Sequence, residues 1–236
     1  MEFWKLLERI VTSGAVVNFF IVIIGSLLGL LFKKGIPERV KTTLMNGMAL
    51  CVMYIGLTGL FEEDANIIVI ILSFAIGSIL GGLADFDKMV NNIGNRLEQK
   101  FSREDTKIAE GFVTATLLFC VGAMTVVGSI DSGINGDNAT LYSKSVIDGI
   151  SGMTLTTTLG IGVMLSCIPV LLIEGGLTLL AVFVAPILTP EIVTQMSVIG
   201  SALIIALSLN MLGLTKIKVM NYLPSIFLPI LLCIVF

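Results

Sequence analysis

Residues Asp148–Lys216 read DGISGMTLTTTLGIGVMLSCIPVLLIEGGLTLLAVFVAPILTPEIVTQMSVIGSALIIALSLNMLGLTK, and between those charged ends only Glu174 and Glu191 carry charge. Water cannot solvate a folded stretch of that length and composition. Lipid can, because about twenty apolar residues at roughly 1.5 Å each cross the hydrocarbon of a bilayer. The rest of the chain agrees: 56% of its 236 residues are hydrophobic and its mean hydropathy is +1.02. The expected class is all-α, a single polytopic membrane domain over residues 1–236.

Working outward, Gly14–Phe32, Leu44–Phe61, Asn66–Leu83 and Gly111–Ile130 are free of charge and of spanning length. Met1–Ser13 alternates apolar Phe3, Leu6, Leu7 and Ile10 with charged Glu2, Lys5, Glu8 and Arg9, the pattern of a short interfacial helix. Ser143–Thr158 is rich in Ser, Thr and Gly and reads either as a polar-lined span or as a re-entrant segment. Beyond it, Pro169 and the Glu174-Gly175-Gly176 triplet interrupt the apolar run, which predicts a broken helix there. Two spans close the chain, Ile192–Gly213 and Ile217–Phe236, the last kinked by Pro224 and Pro229.

Eight spans fit the charges better than seven. With eight, Lys33, Lys34, Arg39, Lys41, Lys88, Arg96, Lys100, Arg103, Lys107, Lys216 and Lys218 share one side, leaving three of the 14 basic residues elsewhere. That side is the cytoplasm, so both termini lie outside. An internal echo agrees: Pro37-Glu38-Arg39-Val40 with Gly47 is matched by Pro190-Glu191-Ile192-Val193 with Gly200. In an eight-span chain these junctions face opposite sides, which predicts inverted repeats at 14–86 and 159–236, with a cytoplasmic amphipathic loop at 87–110 and polar-lined segments at 111–158 between them. The loop is amphipathic because Met89, Val90, Ile93, Leu97 and Phe101 recur at helical spacing against Lys88, Asn92, Arg96 and Lys100.

The composition excludes most chemistry. There is no histidine, so the usual general base and the commonest metal ligand are missing. Cys51, Cys120, Cys167 and Cys233 sit singly in apolar runs and read as packing residues. No phosphate-binding glycine loop, Rossmann fingerprint or metalloprotease signature is present. An enzyme, a cofactor, a metal site and a nucleic-acid partner are therefore not expected.

Intramembrane polar groups carry what remains. Glu174 lies deep in an apolar run, and Asp148 has Lys144 one helical turn earlier, a spacing that forms a local ion pair. Ser151, Thr154, Thr156, Thr157 and Thr158, with Asn18 on the first span, offer hydroxyls and an amide. These line a route for a small solute or cation, or else they hold helices together. The pairs Gly25/Gly29 and Gly77/Gly81 read as close-packing faces, within one copy or between two, and suggest a homodimer.

The run Glu110-Gly-Phe-Val-Thr-Ala-Thr-Leu-Leu-Phe-Cys-Val-Gly-Ala-Met-Thr-Val-Val-Gly-Ser129, the Gly136-Asp137 pair and Lys144-Ser-Val-Ile-Asp-Gly-Ile150 together resemble the central signature of the YdfK/YqgA-like bacterial membrane proteins, domain-of-unknown-function family 554. Gly14-Ala-Val-Val-Asn18 and Ile36-Pro-Glu-Arg39 are similar to that family too. The resemblance implies a bacterial cytoplasmic (inner) membrane location, with transport as a proposed role, and carries over no catalytic residue. The expected function is thus a transporter or channel for a small polar solute or ion, the alternative being a non-transporting membrane scaffold or regulator.

Overall fold

A computed structural model of the protein describes residues 13–33, 37–61, 65–89, 92, 108–120 and 123–233. The expected interfacial helix at 1–13 and most of the amphipathic loop at 87–110 lie outside the described residues. The α-helices with both ends among the described residues stand in order: α1 Gly14–Lys33, α2 Glu38–Thr58, α3 Ile67–Ala84, α4 Ile108–Cys120, α5 Ala123–Ile134, α6 Ala139–Leu159, α7 Gly162–Leu165, α8 Cys167–Val184, α9 Pro190–Met211 and α10 Pro229–Leu232. A 3-10 helix, Val219–Ile226, precedes α10. No strand occurs among the described residues.

Four stretches are long and apolar enough to cross a membrane: Gly14–Phe32, Ile67–Ala84, Gly162–Val184 and Pro190–Met211. A fifth is formed if α4 and α5, bent by 58° at their junction, count as one. Thr42–Thr58 and Val219–Leu232 are apolar but shorter. The chain is therefore a helical membrane protein. Large apolar side chains such as Leu31, Phe61, Leu83 and Phe183 point outward, as a lipid-facing surface requires.

Packing rather than water exclusion holds such a bundle together, so small residues mark its seams. α1 lies parallel to α6 along one of them. The amide of Gly14 donates to Asn138 Oδ1 at 2.7 Å, and a Cβ added at Gly25 would strike Gly149 O, one at Gly29 Met153 O. Each of these pairs is 124 residues apart, a constant offset that identifies a parallel, unslipped pair. Gly77 and Gly81 of α3 meet Ser225 and Asn221 of the 3-10 helix, where the order reverses and the pair is antiparallel. Both glycine faces are thus filled inside one copy, which removes them as the footing for a dimer.

This seam gives a paired test. Gly25→Val should lower stability in detergent by about 1–3 kcal/mol, the usual cost of overpacking. Gly47→Ala should not, because a Cβ at Gly47 meets nothing within 4 Å. Equal melting temperatures for the two variants would contradict the α1–α6 packing.

Two irregularities shape the middle. The expected break at Pro169 and Glu174-Gly175-Gly176 is not there, since α8 runs unbroken through all four residues. Pro169 is the third residue of α8, where its missing N–H would have had no partner anyway. The glycine pair costs helix propensity without forcing a turn. The chain bends earlier, at Gly160, whose φ of 75° is natural for glycine, and then makes the single turn of α7. Toward that same end of the bundle, α3 stops at Asp85, in the left-handed conformation at φ 49°, with its carboxylate 3.6 Å from Lys218 Nζ.

Contacts sort the element ends into two groups. At one end, Gly14 meets Asn138, the amide of Asn66 donates to Gln195 Oε1 at 2.9 Å, and Asp131 shares a cleft with Leu188 and Pro190. At the other, Gly162 abuts Ile108, Asp85 pairs with Lys218, and the amide of Asp87 donates to Asn221 Oδ1 at 2.8 Å.

Candidate functional site

Three helices bring four polar side chains to one point inside the bundle. α1 supplies Asn18 from its second turn, α6 supplies Lys144 and Asp148 one turn apart, and α8 supplies Glu174, just past the middle of the 23-residue apolar stretch Gly162–Val184. The parallel seam explains the first meeting: it holds Asn18 level with the start of α6, where Lys144 and Asp148 face inward. Asn18 and Glu174 are 0% exposed, Lys144 and Asp148 5%.

The geometry is closely connected. Asn18 Nδ2 donates to Asp148 Oδ2 at 2.9 Å and to Glu174 Oε1 and Oε2 at 2.9 and 3.1 Å. Lys144 Nζ stands 3.2 Å from Glu174 Oε1 and also bonds the same Asp148 Oδ2 that Asn18 reaches. One ammonium therefore faces two carboxylates. Asn18 Oδ1, turned away from them, is buried with no hydrogen-bond partner. Charges cost about 2.5–3.5 kcal/mol each at the centre of a membrane helix on insertion scales, so three together call for a use as well as mutual pairing.

The hydroxyl-rich stretch on α6 behaves differently. Thr154, Thr156, Thr157 and Thr158 donate to the carbonyls of Ile150, Gly152, Thr154 and Leu155 at 2.6–3.0 Å, all within their own helix. Such back-bonding satisfies each hydroxyl proton locally. Ser151 is half-buried. Thr156 also packs where α1 comes closest, at Gly29. These residues continue along α6 beyond the quartet without joining it.

Other polar anchors were not singled out from the sequence. Asn138 ties three elements, accepting from Gly14 and, at 2.7 Å, from Ser132 Oγ at the end of α5. Gln195, fully buried on α9, holds the first residues of α3 through Asn66. An asparagine opening a helix after a polar loop and a lone glutamine in an apolar run were the available signals. Cys120, at the end of α4, lies within electrostatic range of Lys144, Asp148 and Glu174. Among the described residues, no group of three or more metal-ligating side chains has the arrangement of a metal site.

Two open clefts of about 330 and 320 Å³ lie at opposite ends of the bundle. The first lies between α5 and α9, with Asp131 and Thr194 in its wall. The second is lined by Asp87, Glu110, Asn210, Lys216 and Lys218. Neither reaches the quartet.

A family model described as "Protein of unknown function (DUF554)" matches residues 13–234. The chain belongs to the DUF554 family. All four residues of the quartet fall within the matched region. The chain is similar to the uncharacterized membrane protein YdfK of Bacillus subtilis (strain 168), 30% identical over 219 residues covering 92% of this chain and 93% of YdfK. It is also similar to the uncharacterized protein YqgA of Escherichia coli (strain K12), 28% identical over 220 residues covering 91% and 93% of the two chains. No solved structure matches this DUF554 chain.

Proposed function

We propose that this DUF554 protein is a multi-pass transporter of the bacterial cytoplasmic membrane that moves a small polar solute or ion past the Asn18–Lys144–Asp148–Glu174 quartet. The observation that carries the reading is one lysine against two carboxylates, buried in the apolar interior and drawn from separate helices. A purely structural ion pair needs one carboxylate, not two. Buried Asn18 Oδ1, Ser26 Oγ and Thr114 Oγ1 lack partners, which a scaffold with every polar group paired would not leave.

The proposed topology has eight spans with both termini outside. The two groups of element ends support it, because α6 then runs from the side of Gly14 to the side of Ile108 and crosses despite its polarity. The inverted repeat has support of the same kind. α1, α2 and α3 pack on α8, α9 and the 3-10 helix respectively, each against its counterpart in the other half. Asn18 and Glu174 meet where the first of these pairs touches, at the repeat interface, which is where solute sites of inverted-repeat transporters lie. The two clefts would be the mouths of the route.

Sidedness can be measured in a background without the four native cysteines. Asn135→Cys is expected to react with an impermeant thiol reagent from outside and Lys216→Cys from inside. Labelling of both from one side would overturn the eight-span topology. Transport itself is tested by flux of ions and small metabolites into proteoliposomes, wild type against Glu174→Gln.

A further inference from the structure

We propose that the quartet holds a single exchangeable proton, shared between Asp148 and Glu174, with Asn18 as the group that changes partners when the proton leaves. Its use as a coupling ion rests on the transport reading, but its presence does not.

Charge balance is the first argument. With Lys144, Asp148 and Glu174 all ionised, one negative charge is left over inside an apolar bundle. The groups around it do not supply a second cation. Among the described residues, the charge that faces the two carboxylates, besides each other, is that of Lys144. α1 brings the uncharged Asn18, α4 brings the thiol of Cys120, and α5, packed along α8, brings no charged group to Glu174. One proton closes the balance.

Hydrogen-bond counting is the second argument, and it is independent of charge. The amide nitrogen of Asn18 has two hydrogens yet faces three carboxylate oxygens at 2.9–3.1 Å. With the three hydrogens of Lys144 added, the donors still fall short of the about eight lone-pair sites of two ionised carboxylates, which leaves room for a hydrogen on one oxygen. Meanwhile Asn18 Oδ1 is a buried acceptor with nothing to accept. A half-turn of the amide presents Oδ1 to a protonated carboxyl, and the reverse turn presents Nδ2 to a carboxylate. The step is simple in its balance. A hydronium ion gives up a proton to an oxygen lone pair, so one O–H bond breaks in the hydronium, leaving water, as one forms on the carboxyl, and release runs in reverse.

The test is infrared spectroscopy of the full-length protein in nanodiscs near neutral pH, following the carbonyl stretch of protonated carboxyl groups and its shift in heavy water. Wild type should show one such buried group. Asp148→Asn and Glu174→Gln should each show none, because either leaves Lys144 against a single carboxylate. Lys144→Gln should show two. A wild type without the band overturns the proposal, and needs no variant to fold. So does a band that survives both Asp148→Asn and Glu174→Gln. Flux without the band would keep the transporter and remove its proton; the band without flux would do the opposite.

Discussion

Proteoliposomes carrying Glu174→Gln are expected to show background flux for a solute that the wild type moves, with expression and melting temperature close to wild type. The substitution keeps the shape of the side chain and removes its charge. What it leaves is a neutral Lys144–Asp148 pair one helical turn apart, which needs no further compensation. The new amide nitrogen would oppose Asn18 Nδ2, but Asn18 Oδ1 is free to turn and accept from it. The structural cost is then about one hydrogen bond, ~1 kcal/mol. On the proposed transport reading the functional cost is large, because the route loses a group able to alternate between charged and neutral while Lys144 stays paired with Asp148. Undiminished flux in the variant would exclude Glu174 from the route. Failure to fold, combined with a wild type that moves none of the ions and metabolites tried, would make Glu174 a structural residue and put the scaffold reading first.

Lys144→Met should damage stability more than any other single change in the quartet. It removes the ammonium from between two buried carboxylates that Asn18 alone cannot satisfy. Breaking a buried pair in this way costs about 3–5 kcal/mol, because the carboxylates left behind must either stay charged without a partner or be protonated at neutral pH. That is a large share of the roughly 5–15 kcal/mol that holds a typical domain folded. Unfolding followed with a thiol-reactive dye suits this protein, since Cys167 is buried and Cys120 half-buried. Adding Asp148→Asn and Glu174→Gln to Lys144→Met should restore most of the loss, because three neutral amides can bond one another. A triple variant no more stable than Lys144→Met would mean that methionine harms packing and that charge is not the issue.

How much of this was legible in the sequence depends on the range of each interaction. Apolar length is local, so the helical membrane class and the Gly14, Ile67 and Pro190 helices read directly. The Lys144–Asp148 pair is also local, one turn of one helix. Its meeting with Glu174 crosses the bend at Gly160, and its meeting with Asn18 spans 130 residues, so no spacing rule brings the four together. They could be named individually as costly intramembrane groups and still not be seen as one site. The helix break was misplaced for a related reason. Glycine and proline in α8 suggested an interruption, but a proline in the first turn and two glycines in an otherwise well-packed helix do not end it, whereas Gly160 takes a conformation that other residues rarely adopt. The hydroxyl stretch was ambiguous because threonine has a partner always at hand in its own helix, and only coordinates show which acceptor it uses.

The seam between α1 and α6 also bears on how the chain enters the membrane. α6 carries Lys144 and Asp148 and is not among the stretches apolar enough to cross alone. In the proposed topology it crosses nonetheless, and during synthesis it leaves the ribosome before α8, so Glu174 is still unmade when α6 must choose between water and lipid. α1, already in place with Asn18 and its glycine face exposed, is the one partner of the quartet waiting for it. In the proposed eight-span topology the order of the helices along the chain makes α1 the docking surface for α6, and insertion of α6 is expected to depend on a helix made more than a hundred residues earlier.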